Sequence, residues 1–453
     1  MYDVIIFGAT GYTGCLMVEH LDAVLSSKDA TPHKWCLAGR DEKKLKTIAS
    51  KCKSEPNTMC VSTEEDYENM ADLCHVVIAA AGPYDLCGTP VIKACIEKKT
   101  HYIDVTGEVV WMKKMIDTNH EAAKEAGVQI VQCAGAMCAL DDINLYLLLQ
   151  KGPLKQFREY SVGTGFTSGG TFFTGYKQYD GMMPHEFENV HLNPFALGGT
   201  RECGLREDDK DQREAVADSL YPNIWKFPGH STHAAVRICR RTVQLFEESA
   251  VDDITPGKDI AIGCYNCTMD QKSAERMVKG NQGPQDVKDL IKFTMTMEAM
   301  SSTAPPRGGG PPAASRATCY TEAYSVAEKE NGDWVYVHYE GPEGYEVTAL
   351  SAVNGALVML EEADLLKPKE RGGVLTPAFA FHGSTWIERL GARSFADSSN
   401  RPMKFEVIEG KPSQEDMDKA VWGSDSAGAF MADQQRKKAI SGWAPPEIYD
   451  RQI

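Results

Sequence analysis

The sequence predicts an α/β protein, with a doubly wound parallel sheet at its N-terminus followed by a region whose sheet is largely antiparallel. Three observations predict this fold class. Residues 1–150 alternate continuous apolar runs with helical patterns, glycines recur every three residues directly after the first apolar run, and longer strand-like segments follow beyond about residue 136. Parallel strands that are buried on both faces are typically continuous apolar runs.

The N-terminal elements alternate in order along the chain. Strands are predicted at 2–8, 35–39, 76–82, 101–105 and 128–134, and helices at 15–25, 41–52, 90–99 and 110–127. Because right-handed crossovers place successive helices against a parallel sheet, this alternation predicts a doubly wound arrangement.

The pattern changes beyond residue 136. Strands are predicted at 241–249, 318–329 and 333–341, which favours an antiparallel sheet. Residues 304–315, with the sequence APPRGGGPPAAS, are expected to form neither strand nor helix but a mobile surface loop or a linker. Helical character returns from Glu346 onward.

Length, charge and cysteine content narrow the class of protein. A chain of 453 residues predicts two or three domains, and a net charge of −16 disfavours nucleic acid, because that field repels phosphate backbones. Fourteen scattered cysteines and no recognisable secretory leader predict free thiols and an intracellular, cytoplasmic protein that is not secreted. No apolar stretch reaches the roughly eighteen residues that a membrane span needs.

The segment GATGYTG places Gly8, Gly11 and Gly14 between the first strand and the first helix. The first glycine allows a sharp turn, the second lets backbone N–H groups approach a pyrophosphate, and the third lets the helix pack closely on the strand. A tight turn without a ligand is the alternative, but the βαβ context favours a Rossmann dinucleotide site. The residues predicted to hold the pyrophosphate are Gly8, Thr10, Gly11, Tyr12, Thr13 and Gly14.

The end of the second strand bears on which dinucleotide binds. Arg40 follows that strand, and its guanidinium suits a 2′-phosphate, so NADP is favoured over NAD. Asp41 comes next and offers the carboxylate that NAD binders use for the ribose. An exposed Arg–Asp pair at a helix N-terminus is the structural alternative.

Two further strand ends face the same predicted crevice. Tyr84, Asp104 and Glu108 are the candidate catalytic residues, with Tyr84 as proton donor or substrate contact and the two acids behind it. A strand-end cap is the alternative for Asp104, and a first-turn helix residue is the alternative for Glu108. The small residues predicted to flank the ribose and nicotinamide are Ala80, Ala81, Gly82 and Pro83.

Other catalytic patterns are disfavoured. No tyrosine is followed four residues later by lysine, so the Tyr-x-x-x-Lys couple of short-chain dehydrogenases is missing, and no Gly-x-Ser-x-Gly elbow indicates a hydrolase. Cys264 and Cys267 form a single C-x-x-C, too few ligands for zinc, and no metal site is expected. His230 and His233 are interpreted as loop or pocket residues.

With these residues in view, the chain resembles the saccharopine dehydrogenase-like oxidoreductases, including the trans-acting enoyl reductases. The matching segments are GATGYTG (8–14), LAGR (37–40), AAAGPYDLCGTPVIKACIEKKTHYIDVTGE (79–108), SGGT (168–171), NPFALGG (193–199), GPEGYEVTALSAVNGAL (341–357) and GGVLTPAFAF (372–381). The resemblance implies a Rossmann domain at 1–136, completed by helices from about 346–395, and a mixed α/β substrate domain at 137–345. Residues 396–453 would form a C-terminal extension.

The resemblance also bears on the expected reaction and substrate. Relatives tend to read Gly-Phe-Asp-Ser-x-Pro-x-Asp where this chain has GAMCALDD (135–142), so the loop beside the nicotinamide departs from the family pattern. Residues 161–185 are rich in Thr, Ser, Gly and Phe, and Lys177 is their only lysine or arginine, which favours a neutral or apolar substrate over saccharopine. We therefore predict an NADP-dependent oxidoreductase that reduces a C=C or C=O bond of a lipid-like substrate.

Two alternatives stay open. One is a non-catalytic or weakly active cofactor-binding scaffold on lipid droplets or membranes, which the altered 136–142 loop favours. The other is a saccharopine reductase. The predicted partners are a small-molecule or lipid-like substrate, a membrane or lipid-droplet surface and a second copy of the chain in a homodimer, with no nucleic acid.

Overall fold

The computed structural model contains two seven-stranded sheets. It describes residues 1–199, 205–229, 231–249, 251, 253–281, 283–284, 286–290, 292–293, 306–367, 369–392 and 401–425. Of the predicted C-terminal extension 396–453, residues 396–400 and 426–453 lie outside this range, as do His230 and residues 304–305 of the predicted loop.

The first sheet is entirely parallel. Its strands are β1 (Tyr2–Phe7), β2 (Trp35–Gly39), β3 (Asn57–Cys60), β4 (Cys74–Ala79), β5 (His101–Asp104), β6 (Gln129–Val131) and β13 (Gly373–Leu375). They are ordered β13-β6-β5-β4-β1-β2-β3, so β1 lies between β2 and β4 and the strand order reverses there. In open α/β sheets this reversal creates a crevice at the carboxyl ends of the strands, where ligands bind.

Both faces of this sheet are buried, as the continuous apolar runs predict. Val4 and Ile6 pack into one hydrophobic cluster, and Ile5 and Phe7 pack into another. The covering helices of the first half are α1 (Tyr12–Leu25), α2 (Glu42–Ala49), α3 (Glu64–Asp72), α4 (Tyr84–Lys98) and α5 (Val109–Ala126). Strand β3 and helix α3 were not predicted from the sequence, because β3 is half-exposed and α3 buries only Met70 and Ala71.

The chain returns to this sheet near its C-terminal end. The helix Gly344–Glu361 is buried along nearly its whole length and packs against α1, where Asn354 contacts His20 at 3.2 Å. The strand β13 pairs in parallel with β6. The elements of this segment are α12 (Gly344–Glu361), α13 (Ala363–Leu366), β13, α14 (Pro377–Ala380) and α15 (Trp386–Ala392).

The second sheet is largely antiparallel, with a single parallel pairing, between β7 and β10, among the pairings of the described strands. Its strands are β7 (Leu154–Thr164), β8 (Val216–Ala217), β9 (Trp225–Phe227), β10 (Ala261–Thr268), β11 (Tyr320–Lys329), β12 (Trp334–Gly341) and β14 (Lys404–Glu409). They are ordered β14-β12-β11-β7-β10-β9-β8. The helices of this half are α6 (Ala139–Leu149), α7 (Gly169–Lys177), α8 (Pro184–Glu186), α9 (Thr232–Glu248), α10 (Gln271–Asn281) and α11 (Ala313–Arg316). The predicted fold class is therefore confirmed.

Two predictions for the second half are wrong. Residues 241–249 are not a strand, because they continue helix α9, in which Ala235, Cys239, Thr242 and Phe246 recur at helical spacing and are all buried. A stretch of nine residues is too short to show the helical period of about 3.6 residues per turn.

The predicted mobile loop also differs from the expectation. Residues 313–316 form the short helix α11, and Gly309, Gly310 and Pro311 are buried. The hydroxyl of Tyr12 donates a hydrogen bond to the carbonyl oxygen of Pro311 at 2.6 Å, so this segment is packed against the glycine-rich turn.

None of the helices within the described ranges is both long and apolar enough for a bilayer span. The thirteen cysteines of the described ranges are all free thiols, and nine of them are buried. Cys264 and Cys267 point to opposite faces of β10 and pack in different hydrophobic clusters.

Candidate functional site

A cavity of about 930 Å³ opens at the carboxyl ends of β1, β2 and β4. This is the crevice that the reversal of strand order predicts, and its volume lies at the upper end of the range for ligand sites. The cavity extends from the glycine-rich turn to helix α7 and the start of helix α9. It is lined by Gly8, Thr10, Gly11, Tyr12, Thr13, Arg40, Ala80, Ala81, Gly82, Pro83, Tyr84 and Glu108 among the predicted site residues.

The glycine-rich turn has no room for side chains. Gly8 has a φ of +89°, and a Cβ there would lie 2.8 Å from the backbone of Ala80. A Cβ on Gly14 would overlap the carbonyl oxygen of Gly8. Gly14 does not line the cavity, so its contribution is the close packing of α1 on the turn.

The N-terminus of α1 is open toward the cavity. Gly11 is its N-cap residue and supplies no side-chain cap, and the first turn carries no acidic residue. The first N–H groups of a helix have no partner within the helix, and the positive end of the helix dipole lies there. The turn therefore fits a pyrophosphate, because it offers donors to an anion at a place where a Cβ would obstruct the approach.

Tyr12 connects this turn to the second half of the chain. Its ring is buried and lies edge-on to Tyr345, with the ring centroids 5.0 Å apart. Arg316 donates to the Tyr12 hydroxyl at 3.3 Å and pairs with Glu346 at 3.0 Å, both within buried surroundings. Tyr12 thus contributes mainly to the joint between the turn, α11 and α12.

Arg40 and Asp41 occupy different positions relative to the cavity. Arg40 is exposed and lines the cavity, together with Lys44 and Ser62, which no sequence motif indicated. Asp41 is the N-cap of α2, where its carboxylate accepts a hydrogen bond from the backbone N–H of Lys44 at 3.0 Å, and it does not line the cavity.

The candidate catalytic residues make structural contacts. The Tyr84 hydroxyl donates to the carbonyl oxygen of Ala79 at 2.9 Å, and the ring stacks on Trp111. The Glu108 carboxylate accepts from the backbone N–H groups of Tyr84 at 2.7 Å and Asp85 at 2.9 Å. Burial raises the pKa of Glu108 to about 7, while these two N–H groups oppose the rise.

Asp104 is fully buried and does not line the cavity. Its carboxylate accepts from the backbone N–H groups of Cys133 at 2.9 Å and Thr106 at 3.1 Å. Burial raises the pKa of Asp104 to about 7, and the same N–H groups act in the opposite direction. Its geometry matches the strand-end cap that the sequence left as the alternative, at the junction of β5 and β6.

The loop 135–142, which differs from the family pattern, also borders the cavity. Met137 lines the cavity, as predicted for this loop. Asp142 is fully buried, and its carboxylate accepts hydrogen bonds from the Thr242 hydroxyl and from the backbone N–H of Ala378 at 2.8 Å. Asp142 therefore links α6, α9 and α14, and it does not line the cavity.

The far half of the cavity carries an aromatic wall. Helix α7 begins at the N-cap Ser168 and supplies Phe172, Phe173 and Thr174 to the lining. A Cβ on Gly82 would lie 3.4 Å from the Thr174 hydroxyl, so α7 directly adjoins the predicted nicotinamide position. Further apolar and aromatic lining comes from Met137, Tyr179, Leu192, Val236 and Phe293.

This half is less neutral than the sequence suggested. Lys210, Arg213 and Arg307 line the cavity, although none of them lies in the 161–185 segment from which an apolar site was predicted. The Arg307 guanidinium lies 3.2 Å from the ring centroid of Phe173. His191 and His233 also line this half and stack on each other, with the ring centroids 4.1 Å apart.

Comparison with known proteins supports the predicted family of dinucleotide-binding oxidoreductases. Residues 4–131 match the family described as the saccharopine dehydrogenase NADP binding domain. A trans-acting enoyl reductase of Mycobacterium ulcerans is 30% identical over 421 residues, which cover 88% of this chain and 98% of the relative. A saccharopine dehydrogenase-like oxidoreductase of Mus musculus is 26% identical over 422 residues, covering 86% of this chain and 95% of the relative.

A third relative matches over a shorter range. A lipid droplet localized protein of Caenorhabditis elegans is 36% identical over 143 residues, covering 30% of this chain and 33% of the relative. The resemblance inferred from the motifs is confirmed by these matches, and with it the predicted class of an NAD(P)-dependent oxidoreductase. The chain belongs to the saccharopine dehydrogenase-like oxidoreductase family, together with the trans-acting enoyl reductases.

Proposed function

We propose that the protein uses NADPH to reduce a C=C or C=O bond of a lipid-like substrate. The observation that carries this proposal is a single cavity with two chemically different halves. One half has the open helix N-terminus of α1 and Arg40, and the other has the aromatic wall of α7. Thr174 lies against Gly82, so a substrate on that wall would adjoin the coenzyme ring.

The preference for NADPH over NADH is part of the proposal. Arg40 lines the cavity with an exposed guanidinium, while the neighbouring Asp41 already caps α2 and does not reach the lining. A guanidinium matches a phosphate through paired charge-assisted hydrogen bonds. The carboxylate that NAD requires for its ribose is thus engaged elsewhere, and the cation that NADP requires is at the cavity.

The chain's own residues bind and orient the reactants. Bound NADPH would supply the hydride. The small residues Ala80, Ala81, Gly82 and Pro83 would leave space for the nicotinamide ribose at the end of β4. Glu108 holds the first turn of α4, and Asp104 holds the junction of β5 and β6, so we assign both acids to positioning this wall rather than to proton transfer.

The lipid-like substrate is inferred from the lining and from relatives. Phe172, Phe173, Tyr179 and Phe293 offer aromatic surface for an apolar chain. The cations Lys210, Arg213 and Arg307 lie in the same half and would suit a polar or anionic end of that molecule. The relative from Caenorhabditis elegans is named for its position on lipid droplets, which supports peripheral association with a lipid surface.

One observation favours the alternative of a weakly active scaffold. The Tyr84 hydroxyl is bonded to Ala79, Asp104 is outside the cavity, and both Glu108 oxygens accept backbone N–H groups. None of the three predicted catalytic side chains is therefore free to transfer a proton in this arrangement. A scaffold of this kind would bind NADPH and a lipid without turnover.

The experiment is NADPH oxidation by the full chain against a panel of medium-chain enoyl and keto lipids. A third arm supplies the lysine-derived aldehyde with glutamate, the substrates of a saccharopine reductase. We expect oxidation with an enoyl or keto lipid and none in the third arm. NADPH binding without oxidation in any arm would favour the scaffold, and oxidation confined to the third arm would replace the lipid-like substrate with saccharopine precursors.

A further inference from the structure

A histidine deep in the substrate half of the cavity has a nitrogen with no partner. His191 ends the helical turn Phe187–His191 and has only 5% of its surface exposed. Its Nδ1 is buried and has no hydrogen-bond partner within the described part of the chain. Buried polar side-chain atoms are normally hydrogen-bonded, so an orphan atom of a cavity-lining residue points to a ligand.

The ring of His191 is held in one orientation. Phe187 stacks on it at 5.2 Å between ring centroids, and His233 stacks at 4.1 Å. Tyr179 meets it edge-on at 5.2 Å. The backbone carbonyl of His191 accepts hydrogen bonds from His233 at 2.7 Å and from Arg237 at 2.8 Å, which fixes the main chain as well.

The surroundings of His191 keep its imidazole neutral. Burial lowers its pKa to about 2, and His233, Arg237 and Arg213 act in the same direction, while Asp211 opposes them. A neutral imidazole carries one N–H donor and one acceptor nitrogen. Because cations outnumber the single carboxylate around the ring, an electron-rich ligand atom is favoured there over a donor group.

His191 also lies along the path that leads away from the predicted nicotinamide position. Thr174 adjoins Gly82, Gln178 is the C-cap residue of α7 one turn after Thr174, and Tyr179 contacts His191. All of these residues line the one cavity. His191 therefore lies beyond the predicted reacting end of the cavity, among aromatic side chains.

We propose that His191 is a substrate-binding residue whose Nδ1 donates a hydrogen bond to a carbonyl oxygen of the lipid-like substrate. The proposal rests on the proposed function for the nature of its substrate. It assigns a carbonyl compound with an apolar chain, since Nδ1 can donate one hydrogen bond and the rings of Phe187 and Tyr179 lie beside it. The carbonyl would fix the depth at which the chain enters the cavity.

The test is a binding measurement on the NADP⁺-saturated full chain. The probes are decyl methyl ketone and its isostere in which a methylene group replaces the carbonyl oxygen. Wild type is expected to bind the ketone about tenfold more tightly than the isostere, as one added hydrogen bond would give. His191→Phe keeps the stack on Phe187 but removes the nitrogen, so this preference should disappear.

Two further variants sharpen the test. His191→Asn places an amide nitrogen near the position of Nδ1, and we expect it to keep a preference within about threefold of wild type. His191→Leu repeats the removal of the nitrogen should the phenylalanine variant not fold. The control is His338→Phe on β12, because His338 stacks on Tyr324 and does not line the cavity.

The outcomes separate this inference from the proposed function. A ketone preference that survives in His191→Phe, or a wild type that binds neither probe or both equally, overturns the role of His191. NADPH oxidation with an unchanged ketone preference in His191→Phe would reject the inference alone. Carbonyl-dependent binding through His191 without oxidation of NADPH by any lipid would reject the proposed reduction and keep the binding site.

Discussion

The two halves of the cavity are built in different ways. The coenzyme half comes from strand ends of one parallel sheet, and its shape is set by backbone: Gly8 and Gly14 leave no room for a Cβ, and Gly11 leaves the helix N-terminus open. The substrate half is assembled from separate segments, including α7, the turn Phe187–His191 and residues 210–213. Sites set by backbone are recognisable in sequence, while sites assembled from side chains of distant segments are not.

The largest effect is expected from Gly14→Ala. An added Cβ would overlap the carbonyl oxygen of Gly8, which is backbone and cannot rotate away. The turn must shift, so we expect the NADPH Kd to rise by roughly 100-fold or more and the protein to be destabilised by about 1–3 kcal/mol. Isothermal titration and urea unfolding measure both. Gly423→Ala is the control, because a Cβ there meets nothing within 4 Å, and unchanged NADPH binding by Gly14→Ala would contradict the backbone cradle.

Arg40→Ala is expected to raise the Kd of NADPH by about 10- to 100-fold, because hydrogen bonds to a charged group would be lost. The NADH Kd should stay within about twofold of wild type, because NADH lacks the 2′-phosphate. Fluorescence titration of both nucleotides gives the two values. Arg276→Ala on α10 is the matched control outside the cavity lining. Equal losses for NADPH and NADH would mean that Arg40 acts on a part that both nucleotides share.

Glu108→Gln distinguishes a structural role of Glu108 from a catalytic one. The glutamine amide can accept only one of the two backbone N–H groups that the carboxylate now holds, so we expect a loss of about 1–3 kcal/mol in the free energy of unfolding. Urea unfolding measures it, and Glu97→Gln at the exposed C-terminal end of α4, the helix whose first turn Glu108 holds, should change little. A stable Glu108→Gln protein whose kcat has collapsed would make Glu108 a catalytic residue instead.

Tyr84→Phe should have the smallest effect. It removes the hydrogen bond to the Ala79 carbonyl and should cost about 1 kcal/mol of stability, with kcat within about twofold of wild type. Thermal unfolding and NADPH oxidation with the best lipid of the panel measure these, and Tyr336→Phe on β12 is the control. A fall in kcat of about 100-fold or more at unchanged stability would identify Tyr84 as the proton donor.

Much of the first sheet could be predicted because local sequence determines it. Continuous apolar strands alternate with helical segments along residues 1–131, and the return of the chain through α12 followed from the family resemblance. Helix α9 was mistaken for a strand at 241–249, since its period shows only when Ala235 and Cys239 are included. The domain limits at 1–136, 137–345 and 396–453 stay predictions.

The part of the site at the strand ends could also be predicted from local sequence. Gly8, Arg40 and Gly82 line the cavity, as predicted. They could be predicted because residues that follow the strands of a parallel sheet lie at one edge of that sheet. Asp104 and Glu108 are acids beside that cavity, but their backbone partners depend on three-dimensional placement that spacing does not show. His191 and Arg307 carry no motif, and only folding brings them to the aromatic wall.

The most direct test is a titration of the wild-type protein with NADPH and with NADH under the same conditions. If the open N-terminus of α1 and Arg40 form a coenzyme site, both nucleotides should bind and NADPH should bind at least about tenfold more tightly. Equal or tighter binding of NADH would contradict the role of Arg40. Failure of both nucleotides to bind would contradict the coenzyme site itself.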